Sequence, residues 1–383
     1  MDFTQEQITT ILTDFSNKRE NGYETILKIA LESLMRAERQ EFKDLNSDIS
    51  NGFRSRTVYS NGHSIELAVP RTRNNNFYPL VLALINSQNE ELAQIVSELY
   101  CSGLTTEQIG DIVEKIYGKN SSKTRISSLM INAKIDTEAW MNRRLDAEYP
   151  ILYIDATFWY TRRDSSVSSE AYYTILGVKS DRTREVLAIV NHPTEGSENW
   201  KTVFEDLIKR GVKGVKLVVS DGLTGIEKSI VSSFPEAEHQ LCTVHLSRNI
   251  AAKVKPKDKK EVMADFKEVL YPDNPNDSQM DGYNRFLSFL DKWSKKYTSF
   301  KTMRNNPIYS LYFTYLNYHV EIRRMIYTTN WIERLNRNYK RTLKMRNSMP
   351  SPESVLFLLG SVAMRRKEYD YPIYQFQYES KLF

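Results

Sequence analysis

The order of apolar runs in the middle third of the chain limits the possible folds more than any other feature. Three strand-like runs follow one another at 149–155, 170–178 and 185–190, with a turn between the last two. Helical spacing then predicts a helix over 197–210, followed by a strand at 215–221, a helix at 225–234 and a strand at 239–242. The predicted order is therefore three strands, then a helix, a strand, a helix and a strand.

This order matches the ribonuclease-H-like fold, an α/β fold in which the first strand, the fourth strand and a late helix meet at one metal site. The residues at those places are acidic. Asp155 closes the first apolar run, Asp221 closes the fourth, and Glu333 lies in the first turn of a strongly basic predicted helix. Mg²⁺ and Mn²⁺ prefer such oxygen ligands, and two ions can stabilise both the attacking and the leaving oxygen of a phosphodiester. The pattern favours a nuclease or polynucleotidyl transferase.

Each acid also has an ordinary structural interpretation. Asp155 alone could sit in a turn or cap the next helix, and Asp221, followed by Gly222, could form a simple turn. Glu333 could be the reciprocal acid of a capping box with Asn330 as N-cap. Only the joint placement of the three acids favours a metal site over these alternatives.

The helix that carries Glu333 is cationic. Residues 330–346 contain six Lys or Arg and one acid, and Arg334, Arg337, Arg341 and Lys344 recur at helical intervals. A solvated face is the common explanation for such a run. Because the acids that would balance it are missing, we favour phosphate contact, and we expect Lys340 and Arg248 to bind DNA as well.

Two thiols, Cys101 and Cys242, are too few for a disulfide framework or a four-ligand zinc site, so a reducing compartment is expected. His245 follows Cys242 by three residues, but with no second pair nearby a structural zinc site is disfavoured. We expect these two residues to support the site structurally, or His245 to contact the scissile phosphate.

Length and composition limit the number of domains and the class of protein. A chain of 383 residues predicts two or three domains, and 40% apolar with 26% charged residues is typical of soluble globular proteins. No apolar stretch approaches the length of a membrane span, and no signal peptide is seen. The expected location is the cytoplasm, with no membrane partner.

The N-terminal third is predicted to be mainly helical, with a β-hairpin around Asn61-Gly62 and two short helices between 104 and 130. Those helices could form a DNA-binding helix-turn-helix or a plain helical hairpin. The expected division is a helical region with hairpin (1–90), a helix-turn-helix-like region (91–147), a catalytic domain (148–242 and 328–368), a helical insertion (243–327) and a tail (369–383). Aromatic residues of the insertion are interpreted as core rather than as base-stacking platforms.

Several stretches are similar to the Mutator-type transposases of bacterial insertion sequences. They are Ser-Glu-Asn-Trp at 197–200, Arg-Gly-Val-Lys-Gly at 210–214, Val-Val-Ser-Asp-Gly at 218–222, Phe-Pro-Glu-Ala at 234–237, Gln-Leu-Cys-Thr-Val-His-Leu-Ser-Arg-Asn at 240–249 and Tyr-Thr-Thr-Asn-Trp-Ile-Glu-Arg-Leu-Asn at 327–336. The resemblance covers roughly residues 50–365.

The resemblance implies an Asp-Asp-Glu triad at Asp155, Asp221 and Glu333, and the family's Cys-x-x-His signature at Cys242 and His245. It also implies a ribonuclease-H-like core with a helical insertion, an N-terminal region that binds the element's terminal inverted repeats, and an oligomer, here a homodimer. The expected protein is a Mg²⁺-dependent DNA transposase, with Mn²⁺ as a substitute ion. The resemblance also implies a bacterial protein that is associated with the nucleoid. The alternatives are an inactive transposase-derived DNA-binding regulator and a ribonuclease-H-like nuclease with a cellular substrate.

Overall fold

The computed structural model describes residues 4–17, 21–60, 63–117, 123–192, 196–270, 274–378 and 381–382. It divides into two compact units, Met1–Ala133 and Lys134–Phe383. The finer five-part division stays a prediction. Within the described residues, no helix is both long enough and apolar enough to cross a membrane.

The first unit is helical around one hairpin, as predicted. Its elements are α1 (Gln5–Asn17), α2 (Asn21–Asn46), β1 (Ser50–Ser60), β2 (His63–Thr72), α3 (Leu80–Cys101), α4 (Thr106–Tyr117) and α5 (Lys123–Leu129), and α6 (Ile131–Met141) includes the boundary. Strands β1 and β2 pair antiparallel up to Ser60 opposite His63, which confirms the hairpin. The predicted turn residues Asn61 and Gly62 lie outside the described residues.

Helix α4 begins as its sequence predicts. The Thr105 hydroxyl accepts a hydrogen bond from the Gln108 backbone N–H at 3.2 Å, and the Gln108 side chain accepts one from the Thr105 N–H at 2.9 Å. These reciprocal bonds satisfy two of the N–H groups that a helix start leaves open. Helices α4 and α5 confirm the two short helices predicted between 104 and 130. Their contact with DNA stays a prediction.

The second unit is built on a mixed five-stranded sheet. Its strands are β3 (Ile151–Arg163), β4 (Ser166–Val178), β5 (Arg184–Asn191), β6 (Leu217–Ser220) and β7 (Glu238–Leu241), in the spatial order β5-β4-β3-β6-β7. The first three strands are antiparallel, and β6 and β7 add in parallel beside β3. Helices α7 (Ser197–Lys209) and α8 (Ile226–Ser233) make the crossovers. The predicted order of elements is confirmed.

One strand boundary was wrong. The sequence interpretation ends the first strand at Asp155, but β3 continues to Arg163. Pairing with the parallel strand β6 stops at Ile154 opposite Ser220, whereas pairing with β4 continues as far as Arg163 opposite Ser166. Asp155 therefore lies directly after the last residue of β3 that pairs with the parallel strand β6, at a point where pairing with β4 continues.

The core of the sheet is apolar and partly aromatic. The Trp200 ring of α7 packs edge-on against Tyr173 of β4, with ring centroids 5.1 Å apart, and Phe204 packs against Phe234 at 5.4 Å. Trp200, Tyr173 and Phe204 are all buried. This layer holds the crossover helices against the sheet and so fixes the positions of the strand ends.

Helices form the rest of the second unit. They are α9 (Thr243–Ala252), α10 (Lys259–Leu270), α11 (Gln279–Ser294), α12 (Ser299–Arg304), α13 (Val320–Ile326), α14 (Asn330–Leu343) and α15 (Pro352–Met364), with 3₁₀ helices at Pro256–Asp258, Pro307–Asn317, Lys367–Asp370 and Tyr374–Tyr378. The predicted helical stretch between β7 and α14 is confirmed. Its aromatic residues are core, as interpreted, since six are buried: Trp293, Tyr297, Phe300, Tyr312, Phe313 and Tyr315.

Candidate metal centre

Two parallel strands bring the two aspartates together. Ile154 of β3 lies opposite Ser220 of β6, so the next residues, Asp155 and Asp221, emerge side by side at the carboxyl end of β6. The adjacent strand β7 ends at Leu241, and the following helix α9 places His245 in its first turn. Ligand atoms of Asp155, Asp221 and His245 all lie within 4.8 Å of one another. The sequence predicted the two aspartates as neighbours, and it gave His245 either a supporting role or a contact to the scissile phosphate, not a place among the metal-binding atoms.

Glu333 is close to this cluster but not within it. It lies in the first turn of α14, a helix that packs against β3, and its charge contributes to raising the pKa of Asp155. Its carboxylate forms an ion pair with Arg248 of α9, with Nη2 and Oε1 3.5 Å apart. The three predicted ligands are therefore on neighbouring elements. The Glu333 carboxylate is paired with the Arg248 guanidinium and is not part of the cluster that contains the two aspartates.

The capping-box alternative for Glu333 is wrong. Thr329, not Asn330, is the N-cap of α14, and no cap hydrogen bond from its side chain is formed in the described structure. The Thr329 carbonyl accepts the first helical hydrogen bond from the Glu333 N–H at 2.9 Å. The Glu333 side chain, which is about one-quarter exposed, instead points to Arg248.

Asn336 was missed as a site residue. It follows Glu333 by three residues on α14, it is buried, and its Nδ2 donates a hydrogen bond to Asp155 Oδ2 at 2.7 Å. This bond joins the helix that carries Glu333 to the strand that carries Asp155. The sequence signal was available, because a polar residue on the apolar side of an amphipathic helix needs a buried partner.

The electrostatic environment of the centre stabilises the protonated, positively charged form of His245. Burial raises the pKa of Asp155, an effect that the nearby His245 opposes. A hydrogen bond to Cys242, together with the charges of Cys242 and both aspartates, raises the pKa of His245 to about 9 against the effect of burial. Burial acts to raise the pKa of Cys242, but hydrogen bonds from His245 and Thr329 lower it overall. At neutral pH the imidazole is therefore a cation beside two carboxylates.

The donor set fits a divalent metal ion. Two aspartates and one imidazole converge within 4.8 Å, and a glutamate lies on the adjacent helix. Carboxylate oxygens suit Mg²⁺ and Mn²⁺, and imidazole is also a ligand for many divalent ions. Asp155 is 6% exposed, so its charge is costly to bury unless a cation neutralises it. The residues that could hold such an ion are Asp155 and Asp221, with Glu333 if it leaves Arg248, and with His245 only in its neutral form.

The basic residues of α14 are exposed, as predicted. Ile332, Leu335, Asn336, Tyr339 and Leu343 form the buried side of the helix. The opposite side, here called the cationic face, consists of Arg334, Arg337, Lys340, Arg341 and Lys344, all exposed. Arg248 is also exposed but pairs with Glu333. The arrangement could contact a phosphate backbone, although DNA contact itself stays a prediction.

Comparison with known proteins bears on what this centre does. Residues 5–371 match the family described as "Transposase, Mutator family". The chain belongs to the Mutator family of transposases. This confirms the resemblance on which the sequence interpretation depends.

Relatives of this Mutator-family chain are named transposases of insertion sequences. The transposase for insertion sequence element IS905 of Lactococcus lactis is 31% identical over 361 residues, which cover 91% of this chain and 90% of the relative. The transposase for IS1201 of Lactobacillus helveticus is 32% identical, over 82% of this chain and 84% of the relative. The transposase for IS256 in transposon Tn4001 of Staphylococcus aureus is 31% identical, over 82% and 80%.

Proposed function

We propose that this chain cuts and joins DNA as the transposase of an insertion sequence, recognising the terminal inverted repeats of its own element. The observation that carries the proposal is the convergence of Asp155, Asp221 and His245 at the ends of adjacent strands, with Glu333 on the next helix. Membership of the Mutator family supports the same conclusion. The homodimer, target DNA and nucleoid location expected from the sequence belong to this proposal.

We further propose that the second unit is a ribonuclease-H-like core interrupted by a helical insertion. The support is its mixed sheet, in which three antiparallel strands are followed by two parallel ones in the order β5-β4-β3-β6-β7. Helices α9 to α13 then separate the sheet from α14 in the chain. In this arrangement the first strand, the fourth strand and the late helix each contribute one acid.

The proposed cofactor is Mg²⁺, with Mn²⁺ as a substitute, held by Asp155, Asp221 and Glu333. When bound, the ion supplies Lewis acidity at the phosphodiester and lowers the pKa of the attacking water or hydroxyl. Asn336 holds one oxygen of Asp155, so the other oxygen is oriented for ligation. Arg248 holds Glu333 only through a partly exposed ion pair of 3.5 Å, which costs little free energy to exchange.

The remaining residues bind and orient the DNA. A protonated His245 is placed to donate a hydrogen bond to a phosphate oxygen, since a hydrogen bond to Cys242 supports its cationic form. Arg248, Arg334, Arg337, Lys340, Arg341 and Lys344 contact the backbone independently of sequence. After hydrolysis at the element end, the freed 3′-hydroxyl attacks a second phosphodiester at the same centre, with no covalent enzyme intermediate. The helices between 104 and 130 are the candidates for reading the end sequence.

The test compares wild type with Asp221→Ala on supercoiled plasmid carrying the gene's native flanks, in Mg²⁺, Mn²⁺ or EDTA. We expect metal-dependent cuts at a flanking inverted repeat with wild type and none with the variant. Glu205→Gln, an exposed acid of α7, is the matched control and should cut normally. DNA binding without cutting in any metal would favour the regulator, and cutting without regard to the flanks would favour a cellular nuclease.

A further inference from the structure

The segment between α9 and α10 is densely basic. Within 253–260 five residues are lysines, and all five are exposed. Val254 and Asp258, which lie between them in the chain, are buried. The inward residues hold the segment against the protein while the lysines stay in solvent. We call this surface the lysine ridge, and it consists of Lys253, Lys255, Lys257, Lys259 and Lys260.

The one acid of this segment is engaged inside the helical insertion. Asp258 accepts a hydrogen bond from the Tyr297 hydroxyl at 2.5 Å, and its other carboxylate oxygen lies 2.7 Å from the Lys296 ammonium. The Tyr297 hydroxyl also accepts a hydrogen bond from the Lys255 N–H at 3.2 Å, which fixes the backbone of the ridge. The exposed part of 253–260 therefore consists of five lysines and Pro256. Such a concentration of one charge attracts an anionic partner.

Helix α9 connects the ridge to the carboxylate centre. His245, beside the two aspartates, lies in its first turn, and Lys253 is its C-cap. At about 1.5 Å per residue, the rise from His245 to Lys253 is about 12 Å. One DNA strand carries a phosphate for about every 3.4 Å of duplex axis, so about 12 Å corresponds to roughly three or four nucleotides. The ridge is thus within reach of DNA whose scissile phosphate lies at the centre.

The ridge and the cationic face of α14 leave the centre from different strands. Helix α14 packs against β3, and the chain after it follows β3 away from Asp155, because the Arg162 N–H donates to the Met349 carbonyl at 3.0 Å. Helix α9 instead starts at the end of β7, and β6, which leads to Asp221, lies between β3 and β7. A duplex cut at the centre has DNA on both sides of the cut. The two cationic surfaces can therefore serve one side each.

The use of lysine indicates which side the ridge serves. A lysine ammonium is a point charge on a flexible stem, whereas arginine, asparagine and glutamine can read base edges through paired hydrogen bonds. None of those three residue types occurs between 253 and 260. Contacts of lysine with backbone phosphates carry no sequence information. In the proposed function the element end has a fixed sequence, but the flanking DNA differs at every insertion site. A surface that ignores sequence suits the flank.

We propose that the lysine ridge binds the phosphate backbone of the flanking DNA, immediately outside the element, while the scissile phosphodiester lies at the carboxylate centre. This inference rests on the proposed function and adds a binding surface for DNA that does not belong to the element. The ridge holds the flank in place before the cut and takes no part in the chemistry.

The first experiment compares two labelled duplexes by fluorescence anisotropy in EDTA, across a range of salt concentrations. One duplex is the element end alone, and the other continues into flanking DNA of arbitrary sequence. Wild type should bind the flanked duplex roughly tenfold more tightly, with a slope of log affinity against log salt that is steeper by about two to three. The variant Lys253→Gln/Lys255→Gln/Lys257→Gln should bind the end alone as wild type does and should lose most of the gain from the flank.

The controls separate this contact from net charge and from folding. Lys209→Gln/Lys213→Gln/Lys228→Gln removes three exposed charges on or beside the crossover helices and should keep the gain from the flank. Replacement of the same three ridge lysines by arginine keeps their charge and should also keep the gain. Thermal unfolding verifies that each variant is folded. An undiminished gain in the ridge variant overturns the inference. Equal weakening of both duplexes by that variant places the ridge against element DNA and also overturns it.

The second experiment locates the contact. Single phosphates of the flanked duplex are replaced one at a time by uncharged methylphosphonates. In wild type we expect sensitive positions in the flank that begin roughly three or four nucleotides from the scissile phosphate, and in the ridge variant this sensitivity should be absent. Equal sensitivity of both proteins at every flank position overturns the inference.

Target DNA is also free of a fixed sequence, and strand transfer distinguishes it from the flank. A pre-cleaved element end, which carries no flank, is joined to an unrelated plasmid. We expect wild type and the ridge variant to join it at equal rates. A selective loss of joining by the ridge variant, with the gain from the flank intact, identifies target DNA as the ligand and overturns the assignment to the flank.

The two proposals fail in distinguishable ways. If wild type cuts at its element end but the flank adds no affinity, the lysine ridge is not a flank-binding surface and the transposase proposal stands. If wild type neither binds nor cuts end DNA, the proposed function falls and this inference falls with it.

Discussion

The two sides of helix α14 carry opposite charges, with carboxylates beside one and arginines beside the other. On one side of α14 the carboxylates of Asp155, which is buried, and Asp221, which is half-buried, converge, while Glu333 nearby is paired with Arg248. On the other side Arg184 and Arg334 lie over the Trp331 ring, and Arg337 and Arg366 line the same cavity. The converging carboxylates are costly alone, because like charges repel and buried charges lose hydration. A bound cation would offset that cost. The comparison suggests a division of labour, with cation-dependent chemistry on one side and phosphate binding on the other.

The largest expected effect separates these two roles. Asp155→Asn should reduce DNA cleavage by about 10³-fold or more, because loss of a charged ligand removes several kcal/mol of transition-state stabilisation. DNA affinity in EDTA should stay equal or rise slightly, since a negative charge is lost. Cleavage rates and anisotropy measure the two quantities on the same preparation. A variant that loses DNA binding in proportion to cleavage would contradict the division.

The free energy of unfolding should also depend on pH, because a buried histidine lies in strand β7. The Nε2 atom of His239 on β7 lies 2.9 Å from the hydroxyl of Ser220, the residue before Asp221, and burial lowers the pKa of His239 to about 4. As pH falls below 6.5, the unfolded chain binds a proton that the folded chain excludes. The free energy of unfolding should therefore decrease, by roughly 3 kcal/mol at pH 4 from this residue alone.

His239→Gln tests this contribution, since glutamine does not titrate. Urea unfolding between pH 7 and pH 4 should show a shallower decline for the variant than for wild type. His319→Asn, at an exposed position where asparagine can keep the helix cap of α13, controls for loss of a histidine as such. An identical decline in wild type and His239→Gln would show that the buried ring is not responsible.

A smaller effect is expected where α14 is joined to the carboxylates. Asn336→Leu removes the hydrogen bond to Asp155 and should weaken metal affinity roughly 10- to 100-fold, the usual cost of losing a residue that orients a ligand. The concentration of Mn²⁺ that gives half-maximal cleavage, together with calorimetric titration, measures the change. Asn347→Ala, an exposed asparagine beyond the helix, is the control. Lower activity at an unchanged metal midpoint would indicate that Asn336 serves packing alone.

The smallest effect concerns the cationic face between the two sides. Lys344→Gln removes one exposed charge and should weaken DNA binding less than tenfold, equally for all sequences, with the salt slope reduced by about one. Cleavage at saturating DNA should not change. Lys301→Gln, an exposed lysine of α12, is the matched control. A sequence-dependent loss of affinity would mean that Lys344 reads bases rather than phosphates.

Local patterns predicted the elements well. The five strands of the sheet, its two crossover helices and the β1-β2 hairpin all follow from consecutive residues, since alternation and helical spacing are local properties. The boundary at Asp155 was wrong because β3 is extended by its pairing with β4, a partner that its own residues do not reveal. The cap of α14 was misplaced by one residue for a similar reason, because Thr328 and Thr329 are buried by tertiary packing.

The sequence by itself determined which kinds of residue stand at the ends of elements: Asp155 and Asp221 beside apolar strands, and Glu333 at the start of a helix with one cationic face. Only the tertiary structure decided which of them are neighbours. It placed His245 beside the aspartates, joined Asn336 to Asp155 across 181 positions, and brought Arg184 to the Trp331 ring. The physical reason is that such contacts depend on strand register and on the rotation of packed helices. Both are set by the whole core together and not by any local run of residues.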